Sequence, residues 1–159
     1  MTAVLFVCTG NICRSPMAEA ILRREVEARG LDQVRVTSAG TGAWDGAPAS
    51  EGAYLVGIEN GLDLSGHRAR LLTRDLVDHA HLILTMSRHH LERVRELGGS
   101  SHAFVLGEYA GRSGADAEVS DPFGSDIDVY RATYVELDEL VRVAAGRLAR
   151  ELRGEDRRE

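Results

Sequence analysis

Two cysteines in 159 residues are too few for a disulfide-stapled scaffold. Both, Cys8 and Cys13, fall in one short segment, where a cross-link would constrain almost no chain. Chemistry is a better use for them. No apolar run approaches the roughly 20 residues of a membrane span. Met1-Thr2-Ala3 leads directly into an apolar stretch with no basic start or signal-peptide core, so a cytoplasmic address and no membrane partner are expected. Positive charge is also short: 19 Lys and Arg against 25 Asp and Glu leave a formal net charge of −6. That balance argues against a nucleic-acid partner and leaves anion binding to a local device. Internal repeats and domain linkers are absent too. The length suits one domain with a sizeable core, read as residues 1–152, followed by a charged tail over 153–159 that is expected to fray.

The local device is Cys8-Thr9-Gly10-Asn11-Ile12-Cys13-Arg14-Ser15, placed between the apolar run Val4-Leu5-Phe6-Val7 and a helical pattern opening with Pro16. A turn between a buried strand and a helix N-terminus offers backbone N–H groups and the positive end of the helix dipole to one oxyanion. Arg14 can fork two donors onto phosphate oxygens, which lysine cannot match. The same field favours a thiolate, and a thiolate below bound phosphorus is a nucleophile. Gly10 is read as allowing close backbone approach and unusual dihedrals, and Asn11 as tolerating a left-handed conformation while its side chain ties the loop. Ser15 is placed to cap the helix or to donate to the cysteine sulfur, and Pro16 suits a first helical position.

Apolar runs at 3–7, 34–39, 82–86 and 103–106 read as strands separated by segments of helical period. Strand alternating with helix means an α/β fold with a parallel sheet. Helices are expected over 16–29, ending near Gly30, over 50–60, from Thr73, and after Ser87 up to Gly98. A last helix carries the stripe Ile127, Tyr130, Tyr134, Leu137, Val141, Ala144 and Leu148, read as one helix covering a sheet face rather than a coiled-coil seam. Two stretches, 40–49 and 109–121, are left as long loops. Ligands of open parallel sheets sit at the carboxyl ends of strands, so both loops are expected beside the cysteine.

Breaking a phosphate ester through a cysteinyl-phosphate requires a proton for the leaving group and then a base for water, and one carboxyl can serve both. Asp121 in Ser120-Asp121-Pro122-Phe123-Gly124 is the candidate, stiffened by proline and followed by an aromatic wall. Alone, Asp-Pro is equally an ordinary turn. His79, His81, His89 and His90 lack a third ligand of matching spacing, so neither metal nor cofactor is expected. Cys13 reads as packing, with a second use as a trap for oxidised Cys8.

Together, the loop and Asp121-Pro122 resemble the low-molecular-weight protein tyrosine phosphatase family. So do Pro16-Met17-Ala18-Glu19, the run from Ser38 to Trp44 and Ser65-Gly66-His67-Arg68-Ala69-Arg70. The resemblance implies a flavodoxin-like three-layer α/β/α fold with a four-stranded parallel sheet, and metal-free, two-step hydrolysis of phosphorylated proteins. It makes Cys8 the nucleophile, Arg14 the phosphate clamp and Asp121 the acid and then base. Thr9, Gly10, Asn11, Ile12, Cys13 and Ser15 would surround the phosphate, Trp44 and Phe123 would wall the substrate, and Ser38 and His67 would support the loop. The family also holds an arginine phosphatase branch, and this chain mixes the two. Its acid loop and Thr85-Met86-Ser87 lean to arginine; Ile12, where that branch has threonine, and Trp44 lean to tyrosine. Phosphotyrosine hydrolysis is the expectation and phosphoarginine hydrolysis the alternative. A phosphocysteine carrier and an idle phosphate-binding module share the loop, but neither needs Arg14 and Asp121 together.

Overall fold

The computed structural model describes residues 1–154; residues 155–159 of the expected tail lie outside them. Four strands, β1 (Thr2–Cys8), β2 (Val34–Gly40), β3 (Leu82–Thr85) and β4 (Ala103–Val105), form one parallel sheet in the order β2-β1-β3-β4. The helices are α1 (Arg14–Ala28), α2 (Glu51–Glu59), α3 (Arg74–His79), α4 (Arg88–Glu96), α5 (Leu106–Tyr109) and α6 (Ile127–Leu152). Among the described residues no helix is long and apolar enough to cross a membrane.

The strands are continuous apolar runs because both sheet faces are covered. Val4 and Phe6 of β1 pack with Met17 and Ile21 of α1 and Leu137 and Val141 of α6. Leu5 and Val7 turn the other way, onto Val77 of α3 and Leu91 and Val94 of α4. This gives the three-layer α/β/α arrangement. The α6 stripe is buried from Tyr130 to Leu148, with Leu140, Ala145 and Ala149 widening it, as a helix lying on a core requires. After α1, Gly30 has φ +68°. There the N–H groups of Gly30 and Leu31 bond back to Glu27 O and Val26 O, a left-handed helix stop.

Three local expectations need correction. Helix α1 starts at Arg14, so Pro16 is its third residue; a missing N–H is still harmless there, because first-turn donors have no intrahelical acceptor. β4 ends at Val105, and Leu106, fully buried, opens α5. The stretch 109–121 also holds a 3₁₀ turn at Gly114–Ala117, and Val119 N–H bonds Met86 O at 2.9 Å, so it is pinned to the sheet rather than a free loop.

Candidate active site

Residues 8–13 connect the carboxyl end of β1 to the N-terminus of α1. Asn11 is the one non-glycine residue described with positive φ, at 56°. This conformation carries a penalty for most side chains, and here it is offset by a fully used side chain. Asn11 Nδ2 donates to Ser15 Oγ at 2.8 Å and Ser38 Oγ at 2.9 Å, while its Oδ1 accepts from Arg70 N at 2.9 Å. Its main-chain carbonyl accepts from His67 Nε2 at 2.6 Å, which places the proton on that nitrogen. The segment reaches Asn11 because residues 70–72 run beside the end of β2, with Gly40 N bonded to Arg70 O and Leu72 N to Gly40 O.

Proton bookkeeping gives these hydroxyls a direction. Ser38 accepts from Asn11 and donates to Glu19 Oε1 at 2.6 Å. Ser15 Oγ, which also accepts from Asn11, lies 2.9 Å from Cys8 Sγ and donates to that sulfur whenever it is a thiolate. The backbone N–H groups of Gly10, Asn11, Ile12 and Cys13 donate to no acceptor among the described residues. Gly10 itself does not have positive φ, and a Cβ there would meet only Ile12 Cγ1 at 3.6 Å. The unusual dihedral falls to Asn11, and the tight approach to Gly40, where a Cβ would stand 2.4 Å from Thr9 O and 2.9 Å from Asn11 N. Gly40→Ala is therefore expected to displace the loop. A melting temperature lower by roughly 3 to 10 °C, from about 1 to 3 kcal/mol of overpacking, should accompany weaker binding of inorganic phosphate. An unchanged melting curve and affinity would show that the loop can yield.

Arg14 is 4% exposed. Its Nη1 donates to Val119 O at 2.9 Å, Nη2 lies 3.7 Å from Asp121 Oδ2, and its buried Nε has no acceptor among the described residues. The Asp121 side chain is half exposed, and its Oδ1 accepts from Phe123 N at 3.1 Å, closing a turn that brings the Phe123 ring alongside. A cavity of about 190 Å³ is lined by Cys8, Thr9, Gly10, Ile12, Cys13, Arg14, Asp121 and Phe123. A larger one, about 370 Å³, lies beyond the support residues and is lined by Glu19, Arg23, Ser38, His67 and Arg70 among others; it contains no thiol, so the chemistry belongs to the smaller. Trp44 is 84% exposed and is not part of the lining of either.

Cys13 bonds Ser50 Oγ at 3.2 Å and Tyr130 Oη at 3.3 Å. Burial pushes its thiol up despite those two bonds. Tyr130, through burial and its bond to Cys13, is pushed up to about 12. Cys13 is thus held as a protonated packing group joining the loop to α2 and α6. Sequence reasoning overlooked Glu19 as an acceptor, the Val119 carbonyl and Tyr130. His90, set aside in the sequence as a metal ligand, is fully buried and hydrogen-bonded to Thr9. Among the described residues no group of three or more His, Cys, Asp or Glu side chains is placed to hold a metal ion.

Comparison with known proteins adds four findings. The family model described as low molecular weight phosphotyrosine protein phosphatase matches residues 3–154. The protein-arginine-phosphatase of Bacillus subtilis (strain 168) is 39% identical over 152 residues, covering 94% of this chain and 99% of the relative. The low molecular weight protein-tyrosine-phosphatase Wzb of Escherichia coli (strain K12) is 37% identical over 139 residues, covering 87% and 90%. Among solved structures, a YwlE arginine phosphatase mutant with a phosphorylated active site serine superposes with a TM-score of 0.89 at 38% identity, covering 96% of this chain and 99% of that one.

Proposed function

Because the chain belongs to the low molecular weight phosphotyrosine protein phosphatase family, we propose that it removes phosphate from phosphotyrosine in proteins through a phosphorylated Cys8. The carrying observation is a set of donors around one sulfur that have no acceptor among the described residues. The N–H groups of Gly10, Ile12 and Cys13 and the buried Nε of Arg14 belong to residues that line one cavity with Cys8. A phosphoryl group supplies oxygens for all of them.

In the first step the Cys8 sulfur attacks phosphorus, the bond to the tyrosyl oxygen breaks, and Asp121 gives that oxygen its proton. In the second, the Asp121 carboxylate takes a proton from water, the water oxygen attacks phosphorus, and the P–S bond breaks to release phosphate and thiolate. Ser15 donates its hydroxyl hydrogen to the sulfur in both states that carry negative charge there. Arg14 and the loop N–H groups hold the three equatorial oxygens as charge shifts. Rapid acid quench during turnover, followed by peptide mass analysis, should find a phosphoryl group on the peptide containing Cys8. Its absence during full turnover would overturn the covalent route. A cytoplasmic setting suits this chemistry, since it keeps a free thiol reduced.

The second reading is phosphoarginine hydrolysis, favoured by the 39% identity to a protein-arginine-phosphatase and by the acid loop from Asp121 to Tyr130. Ile12 carries the preference for tyrosine. It lines the cavity with Phe123 and presents only methyl and methylene groups, so guanidinium donors there would lose water without replacement, at about 1 to 3 kcal/mol per unmade bond. A phenyl ring gains apolar contact instead. Ile12→Thr is expected to shift the ratio of kcat/KM for phosphotyrosine over phosphoarginine toward arginine by roughly 5- to 100-fold. An unmoved ratio, measured on matched peptides, would transfer the selectivity to the acid loop.

A further inference from the structure

His90 takes no part in the reaction written above, yet it touches the loop. It lies in the first turn of α4, fully buried, with both ring nitrogens engaged. Nε2 stands 2.8 Å from Thr9 Oγ1 and Nδ1 2.9 Å from Ser87 Oγ. Ser87 Oγ is also 2.7 Å from His89 Nδ1, and Thr85 Oγ1 donates to Ser87 O at 2.9 Å, so the β3–α4 turn is a tied unit. Burial, aided by His89 and Arg14, pushes His90 down to about 3. A neutral ring has one N–H and one lone pair, and it can satisfy one hydroxyl as donor and the other as acceptor. That is the only state in which a buried imidazole between two hydroxyls leaves no charge unpaired.

The placement has a counterpart. β1 lies between β2 and β3 in the sheet, and the Asn11 network grips the loop from the β2 side through Ser38. Thr9, on the other flank of Cys8, has its carbonyl held by Gly42 N at 2.9 Å and its side chain by His90. With the carbonyl fixed on one side and the hydroxyl on the other, Thr9 cannot rotate without breaking a bond, and the peptide planes that follow it are set.

We propose that His90 is a positioning residue of the phosphate loop: its hydrogen bond to the Thr9 hydroxyl clamps the β3 side of the loop and so fixes the backbone donors that follow Cys8. This rests on reading residues 8–15 as a phosphate cradle. The same bond explains why a hydroxyl stands at position 9, a residue whose side chain the reaction itself does not use.

Two substitutions separate clamping from simple core packing. In His90→Gln the amide nitrogen falls near the place of Nε2 and keeps Thr9 but not Ser87; in His90→Asn it falls near Nδ1 and keeps Ser87 but not Thr9. The readout is the calorimetric Kd of inorganic phosphate, with the melting temperature followed in parallel. His90→Asn and Thr9→Val should each weaken phosphate by roughly 3- to 10-fold, the scale of one hydrogen bond. The double variant should be no weaker than the weaker single one, and His90→Gln should recover most of the affinity. Equal weakening by Gln and Asn, or additive effects in the double variant, would overturn the proposal in favour of packing alone. Should His90→Asn not fold, Thr9→Val against Thr9→Ser carries the same test: loss in the first with recovery in the second supports the clamp, and unchanged affinity in Thr9→Val overturns it. A wild-type protein that neither binds phosphate nor hydrolyses aryl phosphates would instead overturn the phosphatase reading itself.

Discussion

Cys8→Ser is expected to abolish turnover of phosphotyrosine peptides while leaving inorganic phosphate bound. A serine hydroxyl in the same place is a far weaker nucleophile, because the cradle activates a thiolate and offers no general base to an alcohol. The groups proposed to hold phosphate are elsewhere: Arg14, fixed by Val119 O, and the loop N–H groups, fixed by Asn11 through Ser15, Ser38 and Arg70. Steady-state assays and phosphate calorimetry on the one variant make the separation. Activity within about tenfold of wild type would remove the sulfur from the mechanism.

Asp121→Asn should lower kcat by ~10² to 10⁴-fold, the usual contribution of general acid–base catalysis. The loss should be smaller for aryl leaving groups of low pKa, which depart with little protonation, so a plot of rate against leaving-group pKa steepens in the variant. Phosphate affinity should hold or improve, because the substitution takes a negative charge from 3.7 Å beside Arg14 at the mouth of an anion site. A variant matching wild type on phosphotyrosine would exclude Asp121, and Asp126 and Asp128 would be the next carboxyls to replace.

The parts of this molecule that could be read from its sequence are those encoded by neighbours along the chain. Four apolar runs announced strands because a sheet covered on both faces leaves no polar alternation, and the α6 stripe repeats with the helix. The loop was legible for the same reason, as cysteine, asparagine, arginine and serine follow one another without a gap. The Ser38 and His67 roles came through family resemblance and could not have come from spacing, since each meets Asn11 across a different chain segment. The contact of His90 with the loop was not legible because nothing local marks that side chain as buried; only the order β2-β1-β3 brings α4 beside Thr9. The Val119 carbonyl was invisible, because every residue carries one. Trp44 was expected as a substrate wall through the family resemblance; it stands 84% exposed, outside the lining of the cavity that holds Cys8.

The separations of 105 positions between Arg14 and the Val119 carbonyl that anchors it, and of 117 between Cys13 and Tyr130, have a consequence for how the molecule comes into being. Closing contacts at such separations is the slow, entropically expensive part of folding, whereas β1, the loop and α1 are adjacent and leave the ribosome early. A nascent chain lacking the residues after 118 has its thiol but neither the anchor for its arginine nor its acid. On the proposed mechanism, catalysis switches on only when the last quarter of the chain has docked, so hydrolysis of an aryl phosphate serves as a report of completed folding.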